Sequence, residues 1–255
     1  MIRFFLVAIL GLNAHKLEAL DAKSVNDLVT LIDDRQQNSG DYASLVFIDQ
    51  KSKDGSNKAF EARVYRRDAD DKWMIVFTKP KSEAGKGYLR LEKNLFLYEP
   101  ALGKWERQTE RASIGGTNSR RDDFDESRLA SEYDAVFVAD EKLGRFAVHH
   151  LRLTAKKGIE VASPIVELWV DQVEKNIMKR QEFALSGRLL RTSYYPGWDK
   201  MLSKSKGRDV YVPKEIRVFD EIEKGESTTV VLKGVKLDAL DANMFTKAWL
   251  ETQSR

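Results

Sequence analysis

Short apolar segments separated by turn-forming residues run through most of the chain. The segments are rich in β-branched and aromatic residues, and the stretches between them carry proline, glycine, asparagine and aspartate, which is typical of antiparallel strands joined by tight turns. They occupy residues 42–50, 59–66, 73–78, 88–91, 95–98, 135–139, 145–156, 164–171, 176–185, 189–195, 210–219 and 228–232. Long helices do not alternate with these segments, so the pattern predicts a mainly β protein with an antiparallel sheet.

One segment separates the two faces of the predicted sheet most clearly. Leu89 and Leu91 alternate with Arg90 and Glu92 along the chain. Successive side chains of a strand point to opposite faces, so the two leucines are predicted on an apolar, covered face and the two charged residues on a solvated face.

The apolar face recurs in other segments, and two interpretations of it remain open. Phe60 and Val64 share one face of their segment, and Val166 and Leu168 share one face of another. Such a sheet either closes on itself and fills its interior, or stays open and holds an apolar ligand beneath a helical lid. The hydrophobic pattern alone favours the filled interior.

An amphipathic helix is predicted near the start of the chain, over residues 22–37. Val25, Leu28 and Ile32 recur there at helical spacing, and Ser24 is the predicted N-cap. The apolar stripe is strong, so we expect this helix to cover part of the apolar face of the sheet.

Two shorter helices are predicted further along, with fewer apolar residues. They span residues 119–132, capped by Ser119, and residues 241–251, capped by Asp241. No internal repeat, low-complexity run or Pro/Ser-rich linker divides the chain. We therefore expect residues 20–255 to form a single domain, since one large all-β unit can reach this length.

The composition supports a soluble fold and gives no sign of nucleic-acid binding. The chain has 255 residues, of which 42% are hydrophobic and 33% are charged, and its formal net charge is +3. The longest basic stretches, Arg120-Arg121 and residues 204–208, are short and are interpreted as solvated loops. Because there is no dense basic patch, no nucleic-acid partner is expected.

Residues 1–19 differ from the rest of the chain and are interpreted as a signal peptide. A basic start, Met1-Ile2-Arg3, precedes an apolar run at residues 4–12 that is too short to cross a bilayer as a helix. Ala14 and Ala19 are candidate residues before the cleavage point, which the sequence does not fix. The alternative for this stretch is a buried N-terminal strand.

The chain contains no cysteine, and this narrows both its chemistry and its compartment. Disulfides, thiolate metal ligands, a thiol nucleophile and lipid attachment at an N-terminal cysteine are all excluded. An exported protein of this kind is expected to move freely in a bacterial periplasm, with a core that holds without cross-links.

Catalytic and metal-binding patterns are missing from the sequence. His149 and His150 are adjacent in one predicted strand, so they point to opposite faces and cannot share a metal ion within it. The adjacent carboxylates Asp122 and Asp123 are interpreted as charge at a helix N-terminus rather than as an acid-base pair. No metalloprotease, serine hydrolase or phosphate-binding motif is present. We therefore expect no metal, no cofactor and no enzymatic activity.

Three longer stretches carry the most distinctive residue pattern of the chain. They read GYLRLEKNLFLYEPALGKWER, GGTNSRRDDF and YVPKEIRVFDEIEKGESTTVVLKGVKLDALDANMFTKAWLE, in that order. This pattern resembles the outer-membrane lipoprotein-sorting (LolA-like) family, and the resemblance extends over nearly the whole chain after the signal. It rests on structural rather than catalytic positions, which are Phe96, Tyr98, Pro100, Thr117, Asp122, Asp123, Phe245 and Leu250.

The resemblance implies an open, curved antiparallel half-barrel (LolA/LolB-like) of about ten or eleven strands, with helices covering the concave face. It also implies a periplasmic carrier that binds acyl chains of a lipid or lipoprotein in a hydrophobic cavity and ferries them toward the outer membrane, without chemistry. The expected partners are those acyl chains and an inner-membrane transporter of the resistance-nodulation-division (RND) or ABC type. A monomer is expected.

On this basis, an inward-facing apolar set is predicted to contact the acyl chain. Its members are Leu45, Phe47, Phe60, Val64, Ile75, Phe77, Leu89, Leu91, Val166 and Leu168. The predicted helix over residues 22–37 would form part of a lid through Val25, Leu28 and Ile32. The alternative function is a periplasmic sensor or regulatory binding protein of the same fold, working with a membrane transporter or signalling protein.

Overall fold

A computed structural model of the protein describes residues 19–109 and 112–254. In this part of the chain, 13 strands form one sheet. The strands are β1 (Asp41–Lys51), β2 (Asn57–Arg67), β3 (Lys72–Lys79), β4 (Gly87–Leu91), β5 (Asn94–Glu99), β6 (Lys104–Gln108), β7 (Tyr133–Leu143), β8 (Phe146–Ala155), β9 (Ile165–Asp171), β10 (Ile177–Phe183), β11 (Leu189–Ser203), β12 (Arg208–Asp220) and β13 (Ser227–Lys236). The helices are α1 (Ala22–Gln36), α2 (Leu129–Glu132) and α3 (Lys247–Gln253), with 3-10 turns at Asp68–Asp70 and Arg121–Asp123.

The sheet consists of two antiparallel meanders joined by the pairing of β1 with β13. The strand order is β6-β5-β4-β3-β2-β1-β13-β12-β11-β10-β9-β8-β7. The edge strands β6 and β7 stand at opposite ends of this order, so the sheet is open rather than closed. The prediction of a mainly β, open antiparallel half-barrel is therefore confirmed.

The described sheet has more strands than the ten or eleven expected. Every predicted apolar segment is a strand, and β6 is the additional one. Its sequence is KWERQ, in which Trp105 is the one large apolar residue, so neither an apolar run nor a clear alternation marks it. Backbone pairing with β5 holds it, from Leu95 opposite Gln108 to Glu99 opposite Lys104.

The cross-strand register divides the side chains of the sheet between two faces. We call the face that carries α1 the inner face and the opposite one the outer face. One inner apolar cluster, around Val46 and Ile75, spans β1 to β5 and continues onto β12 and β13. A second inner cluster, around Leu151 and Leu168, spans β7 to β10 and includes α1. A smaller outer cluster, around Met74, joins β3 and β4 to the C-terminal segment.

Helix α1 confirms the amphipathic helix predicted near the start of the chain. Val25, Leu28 and Ile32 are buried in the second inner cluster. The cap differs from the prediction, because Asp21 rather than Ser24 is the N-cap and its carboxylate accepts a 2.7 Å hydrogen bond from the backbone N–H of Ser24. An aspartate caps a helix as well as a serine does, and a cap at Asp21 agrees with the predicted helix start at residue 22.

The predicted bounds of the two shorter helices are wrong. In place of a helix over residues 119–132, the chain forms the 3-10 turn Arg121–Asp123 and the single turn α2. That segment has too few apolar residues to dock a full helix, and its charged side chains bind the sheet instead. The C-terminal helix begins at Lys247 behind the N-cap Thr246, rather than after Asp241, and it packs on the outer face.

The prediction that Arg90 of β4 lies on a solvated face is wrong. The two leucines of that strand do share an apolar face, but Arg90 on the other face is only 1% exposed. It forms ion pairs with Asp71 and Asp125. A charged side chain can be buried when such partners replace its water, and alternation along the sequence does not reveal them.

The predicted signal peptide, residues 1–19, lies outside the described residues except for Ala19. Within the described ranges, no helix combines the length and the apolar character needed to cross a membrane. The single domain over residues 20–255 remains a prediction.

Candidate functional site: a cavity beneath the plug

A cavity of about 170 Å³ lies on the inner face of the sheet. Strands β1, β2 and β10 to β13 form its floor. Its roof is the final part of the β6–β7 connection, residues 112–128, together with α2. We call residues 112–128 the plug. From α1 only Gln36 reaches the cavity, so the plug rather than α1 is its main cover.

Aromatic and aliphatic side chains supply most of the floor. The aromatic residues of the lining are Tyr42, Phe124, Tyr133, Tyr195, Trp198 and Tyr211, and the other apolar residues are Val64, Leu129, Val161, Ala162, Ile177, Val210, Val212, Pro213, Ile216, Val230, Leu232 and Leu237. Tyr195 and Trp198 stack on each other, with their ring centroids 5.6 Å apart. A concave apolar surface with a few polar groups is the usual form of a small-molecule site.

Charged side chains are concentrated on the roof and the rim. Four arginines and six carboxylates line the cavity, namely Arg66, Arg121, Arg128, Arg180, Asp68, Asp123, Asp125, Glu126, Glu132 and Glu160. No lysine of the described residues takes part. Most of these charges are paired, either with each other or with residues behind the cavity wall, and the pairs hold the plug in position.

Arg191 attaches the plug to β11. Its guanidinium, which is 2% exposed, donates hydrogen bonds to both carboxylate oxygens of Asp123 and to the carbonyl oxygen of Asn118. It also lies 3.3 Å from a carboxylate oxygen of Glu182 on β10, which Arg180 approaches to 3.0 Å. A buried group of alternating charges therefore joins the plug to two neighbouring strands.

These charges set each other's pKa values. Burial alone would raise the pKa of Glu182, but the guanidinium groups of Arg191 and Arg180 outweigh burial and lower this pKa to about 2. Burial opposes the charge of Arg191, yet the carboxylates of Asp123 and Glu182 raise its pKa above the ordinary value. Removal of one partner would leave the other buried charge without compensation, which is costly.

Asp125 attaches the plug on its opposite side, to β3 and β4. Its carboxylate accepts a hydrogen bond from the indole N–H of Trp73. It also forms ion pairs with Arg90 at 3.2 Å and with Arg121 at 3.1 Å. Because β4 belongs to one meander and β11 to the other, the plug is attached to both.

Asp33 joins α1 to the end of the plug. Its buried carboxylate accepts hydrogen bonds from the Ser127 hydroxyl at 2.6 Å and from the backbone N–H groups of Leu129 and Ala130 at 2.9 and 2.7 Å. Burial raises the pKa of Asp33, and these three hydrogen bonds oppose that rise. Helix α1 and the plug therefore form one connected layer over the inner face.

Glu132 is an exception to this pairing. Among the described residues, no hydrogen bond or ion pair reaches its carboxylate, although the residue lines the cavity. Burial raises the pKa of Glu132, while Arg128 and Arg180 act against that rise. On the floor, burial raises the pKa of Tyr195 to about 12, so its hydroxyl stays protonated at neutral pH.

Six of the ten residues predicted to contact an acyl chain lie on the inner face, namely Phe60, Val64, Ile75, Phe77, Val166 and Leu168. Val64 lines the cavity directly. Phe60, Ile75 and Phe77 belong to the cluster that packs against Phe124 of the plug. Val166 and Leu168 lie in the cluster that α1 joins through Val25, Leu28 and Ile32. Contact of these residues with a ligand remains a prediction.

Leu45 and Phe47 lie on the outer face, so their predicted inward orientation is wrong. The register pairs Leu45 with Arg63, whereas the inner face of β1 carries Val46 and Ile48. Positions 45 to 48 are all apolar, so the alternation that would distinguish the two faces is missing there.

Leu89 and Leu91 also lie on the outer face, contrary to prediction. They belong to the outer cluster, which Leu250 of α3 completes. The alternation identified their shared apolar face correctly, but it could not show that the C-terminal segment covers that face. They pack the sheet against α3 and do not line the cavity.

Several cavity residues are absent from the set predicted to contact an acyl chain. Ile216 had a usable signal, because it alternates with charged neighbours in its strand. Tyr195 and Trp198 did not, since a bulge in β11 shifts the register between Tyr194 and Gly197 and breaks the alternation. The carboxylates of the plug also carry no sequence signal, because their partners come from distant strands.

The histidines and carboxylates offer no metal site in the described part of the chain. The ring of His149 contacts Asp140 at 2.6 Å, and that of His150 contacts Glu141 at 2.8 Å. No group of three or more His, Cys, Asp or Glu residues is placed to hold a metal ion within residues 19–109 and 112–254.

A comparison with family models identifies the family of this chain. A model described as that of an uncharacterized protein matches residues 69–252. The chain therefore belongs to that family, a DUF1329-like group of uncharacterized proteins. A search of curated proteins gives no match.

Solved structures share the fold over almost the whole chain. A domain assigned as an outer membrane lipoprotein-sorting protein from Vibrio parahaemolyticus is 18% identical, with a TM-score of 0.78 over 91% of this chain and 100% of that one. A LolA superfamily protein from Nitrosomonas europaea is 22% identical, with a TM-score of 0.72 over 91% and 100%. A DUF1329 family protein from Desulfovibrio piger is 19% identical, with a TM-score of 0.78 over 90% and 98%. The chain has the LolA-like fold that the sequence resemblance predicted.

Proposed function

We propose that this protein is a non-enzymatic periplasmic carrier, which binds acyl chains of a lipid or lipoprotein and ferries them toward the outer membrane. The cavity between the sheet and the plug carries the proposal. Its aromatic and aliphatic floor offers hydrocarbon a surface removed from water. Each methylene buried there would contribute about 0.8 kcal/mol.

Loading requires the plug to move outward. The cavity of about 170 Å³ is smaller than the roughly 300–1,000 Å³ typical of sites that enclose a ligand of drug size. Outward movement of the plug would expose Phe60, Ile75 and Phe77, which now pack beneath it. Displacement of α1 would similarly expose Val166 and Leu168. The six inner-face residues predicted from the sequence would then line an enlarged site.

The cellular setting of the proposal rests on the sequence and on similar proteins. The signal peptide inferred at residues 1–19 would direct export to the periplasm. Two structures of the same fold are described as a lipoprotein-sorting domain and a LolA superfamily protein, which supports acyl chains as the cargo. An inner-membrane transporter of the RND or ABC type would hand over the cargo to a monomeric carrier.

Two adjacent residues of β13 give a matched test of the cavity. Leu232 lines the cavity, whereas its neighbour Val231 points to the outer face. The Leu232→Trp variant should bind the neutral fluorescent probe N-phenylnaphthylamine at least about tenfold more weakly, because the indole would occupy the ligand's space. The Val231→Trp variant should bind it as the parent does. Equal binding by both variants, with thermal melts showing that both are folded, would place the ligand elsewhere.

A sensor of the same fold is the second candidate, and the packing of the inner face favours it. Val166 and Leu168 are completely buried beneath α1, as expected for a filled core rather than for a carrier. A sensor would leave α1 and the plug in place and would recognise a partner protein through its surface. It predicts no uptake of N-phenylnaphthylamine by the parent protein.

A further inference from the structure

We propose that the cavity selects amphiphiles with a cationic end, either a protonated amine or a quaternary ammonium group, over amphiphiles with an anionic end. This inference rests on the proposed function and names the chemistry of its ligand. It starts from the charges that line the cavity, where each of the four arginines has a carboxylate partner, Glu132 has none among the described residues, and no lysine of the described residues is present.

The arginines of the lining are already engaged. Arg66 donates two hydrogen bonds to the carboxylate of Asp68, at 2.9 and 2.8 Å. Arg128 pairs with Glu126 at 2.8 Å and also with Asp71. An anionic head group would have to compete with these carboxylates for guanidinium groups that are largely removed from water. Breaking a buried ion pair leaves one charge uncompensated, so this competition is unfavourable.

The carboxylate of Glu132 is available, in contrast to those arginines. No hydrogen bond or ion pair within the described chain satisfies it. Glu132 is partly buried at the end of α2 and faces the cavity. Partial removal of a carboxylate from water without a bonded partner costs free energy, which a cation beside it would offset. The cavity therefore offers an unbonded carboxylate to a cationic group, whereas its arginines are bonded to carboxylates.

The aromatic floor supports the same choice of ligand. Tyr195 and Trp198 stack beside each other on the cavity floor. The faces of such rings attract cations, and quaternary ammonium groups are commonly bound by cages of aromatic side chains. The same rings also contact hydrocarbon, so a single wall can accept both the ammonium group and the chain next to it.

Three probes that share a dodecyl chain separate the possibilities. Dodecyltrimethylammonium, dodecanoate and dodecyldimethylamine oxide are cationic, anionic and uncharged overall at neutral pH. Each is titrated into the mature full-length protein below its critical micelle concentration, and heat release is measured by calorimetry. We expect dodecyltrimethylammonium to bind about tenfold more tightly than dodecanoate, with the amine oxide between them.

The Glu132→Gln variant tests the residue that carries the selectivity. This variant should bring the affinities for the cationic and anionic probes to within about threefold of each other. The matched control is Asp134→Asn, an exposed carboxylate two residues away that does not line the cavity, and it should keep the parent's preference. Thermal melts establish that both variants are folded.

The outcomes distinguish this inference from the function on which it rests. Equal or tighter binding of dodecanoate by the parent would overturn the inference and leave the carrier intact, with an anionic lipid as cargo. An unchanged preference in the Glu132→Gln variant would also overturn it. If none of the three probes binds, the carrier proposal itself fails, and the inference fails with it.

Discussion

Charged side chains beneath the plug determine how firmly it covers the cavity. Glu182 and Arg191 are each 2% exposed, and both belong to the network that reaches Asp123 of the plug. Apolar contacts alone would let a loop slide over the sheet, because they have no preferred direction. Ion pairs with defined partners fix the position of the plug on the sheet.

Glu182 gives this network a measurable pH dependence. Its pKa is lowered from an ordinary 4.5 to about 2 in the folded protein. A group whose pKa falls on folding stabilises the fold above its unfolded pKa, and the stabilisation is lost as the pH falls toward the folded pKa. Urea unfolding should therefore show the parent losing about 1–2 kcal/mol of its advantage over Glu182→Gln between about pH 7 and about pH 3.5.

The control for this measurement is Glu174→Gln, which changes an exposed carboxylate. Its difference from the parent should stay close to zero at both pH values, because an exposed group has little interaction to lose. If the difference between the parent and Glu182→Gln is the same at both pH values, Glu182 is not held ionised by its arginine neighbours.

At the residue scale, the sequence revealed side chains whose neighbours alternate and missed those whose role depends on a distant partner. Leu89 and Val64 were both correctly identified as apolar face residues of their strands. The burial of Arg90 could not be predicted, because Asp125 lies far along the chain and meets it through the fold. The same holds for Glu132, because its lack of a bonded partner among the described residues is visible only in the fold.

At the scale of elements, the plug acts as a separate cover attached at a few points. Asp125 is one of these points and binds Trp73, Arg90 and Arg121. Asp33 provides another point, which couples the plug to α1. A cover held this way can open without unfolding the sheet, whose strands are held by continuous backbone pairing.

The Asp125→Ala variant tests whether the plug opens independently. The loss of Asp125 leaves buried donors without their acceptor, at a cost of about 1–3 kcal/mol to the closed state. Hydrogen exchange of the backbone amides in residues 112–128 should accelerate about tenfold or more, while amides in β1 and β2 keep the parent's rates. The exposed Asp134→Ala serves as control. Equal acceleration in the plug and the sheet would show that the two unfold together.

Element prediction succeeded where periodicity was strong. Helix α1 has a clear apolar stripe, and twelve of the 13 described strands carry an apolar segment. Strand β6 and the plug have neither an apolar stripe nor an apolar segment. Backbone pairing holds β6 in place, and long-range charge pairs hold the plug. The face chosen for β1 was wrong for a related reason, since four successive apolar residues hide which side is buried.

For the whole molecule, the open sheet creates the cavity. Two meanders meet at the β1–β13 pairing, and the cavity floor extends to both sides of that junction. The sequence resemblance predicted the open half-barrel correctly, because its strands and turns match the pattern of the fold. The polar roof was not predicted, because the sequence pattern indicated a helix over much of the segment that forms it.

The most direct test of the carrier account is native mass spectrometry of the protein purified from the periplasm of cells that express it, followed by solvent extraction of what it holds. The account predicts about one acyl-bearing molecule per protein, retained in Val231→Trp and lost in Leu232→Trp. A mass without any bound molecule, together with no uptake of N-phenylnaphthylamine by the parent protein, would contradict it and favour the sensor with a filled core.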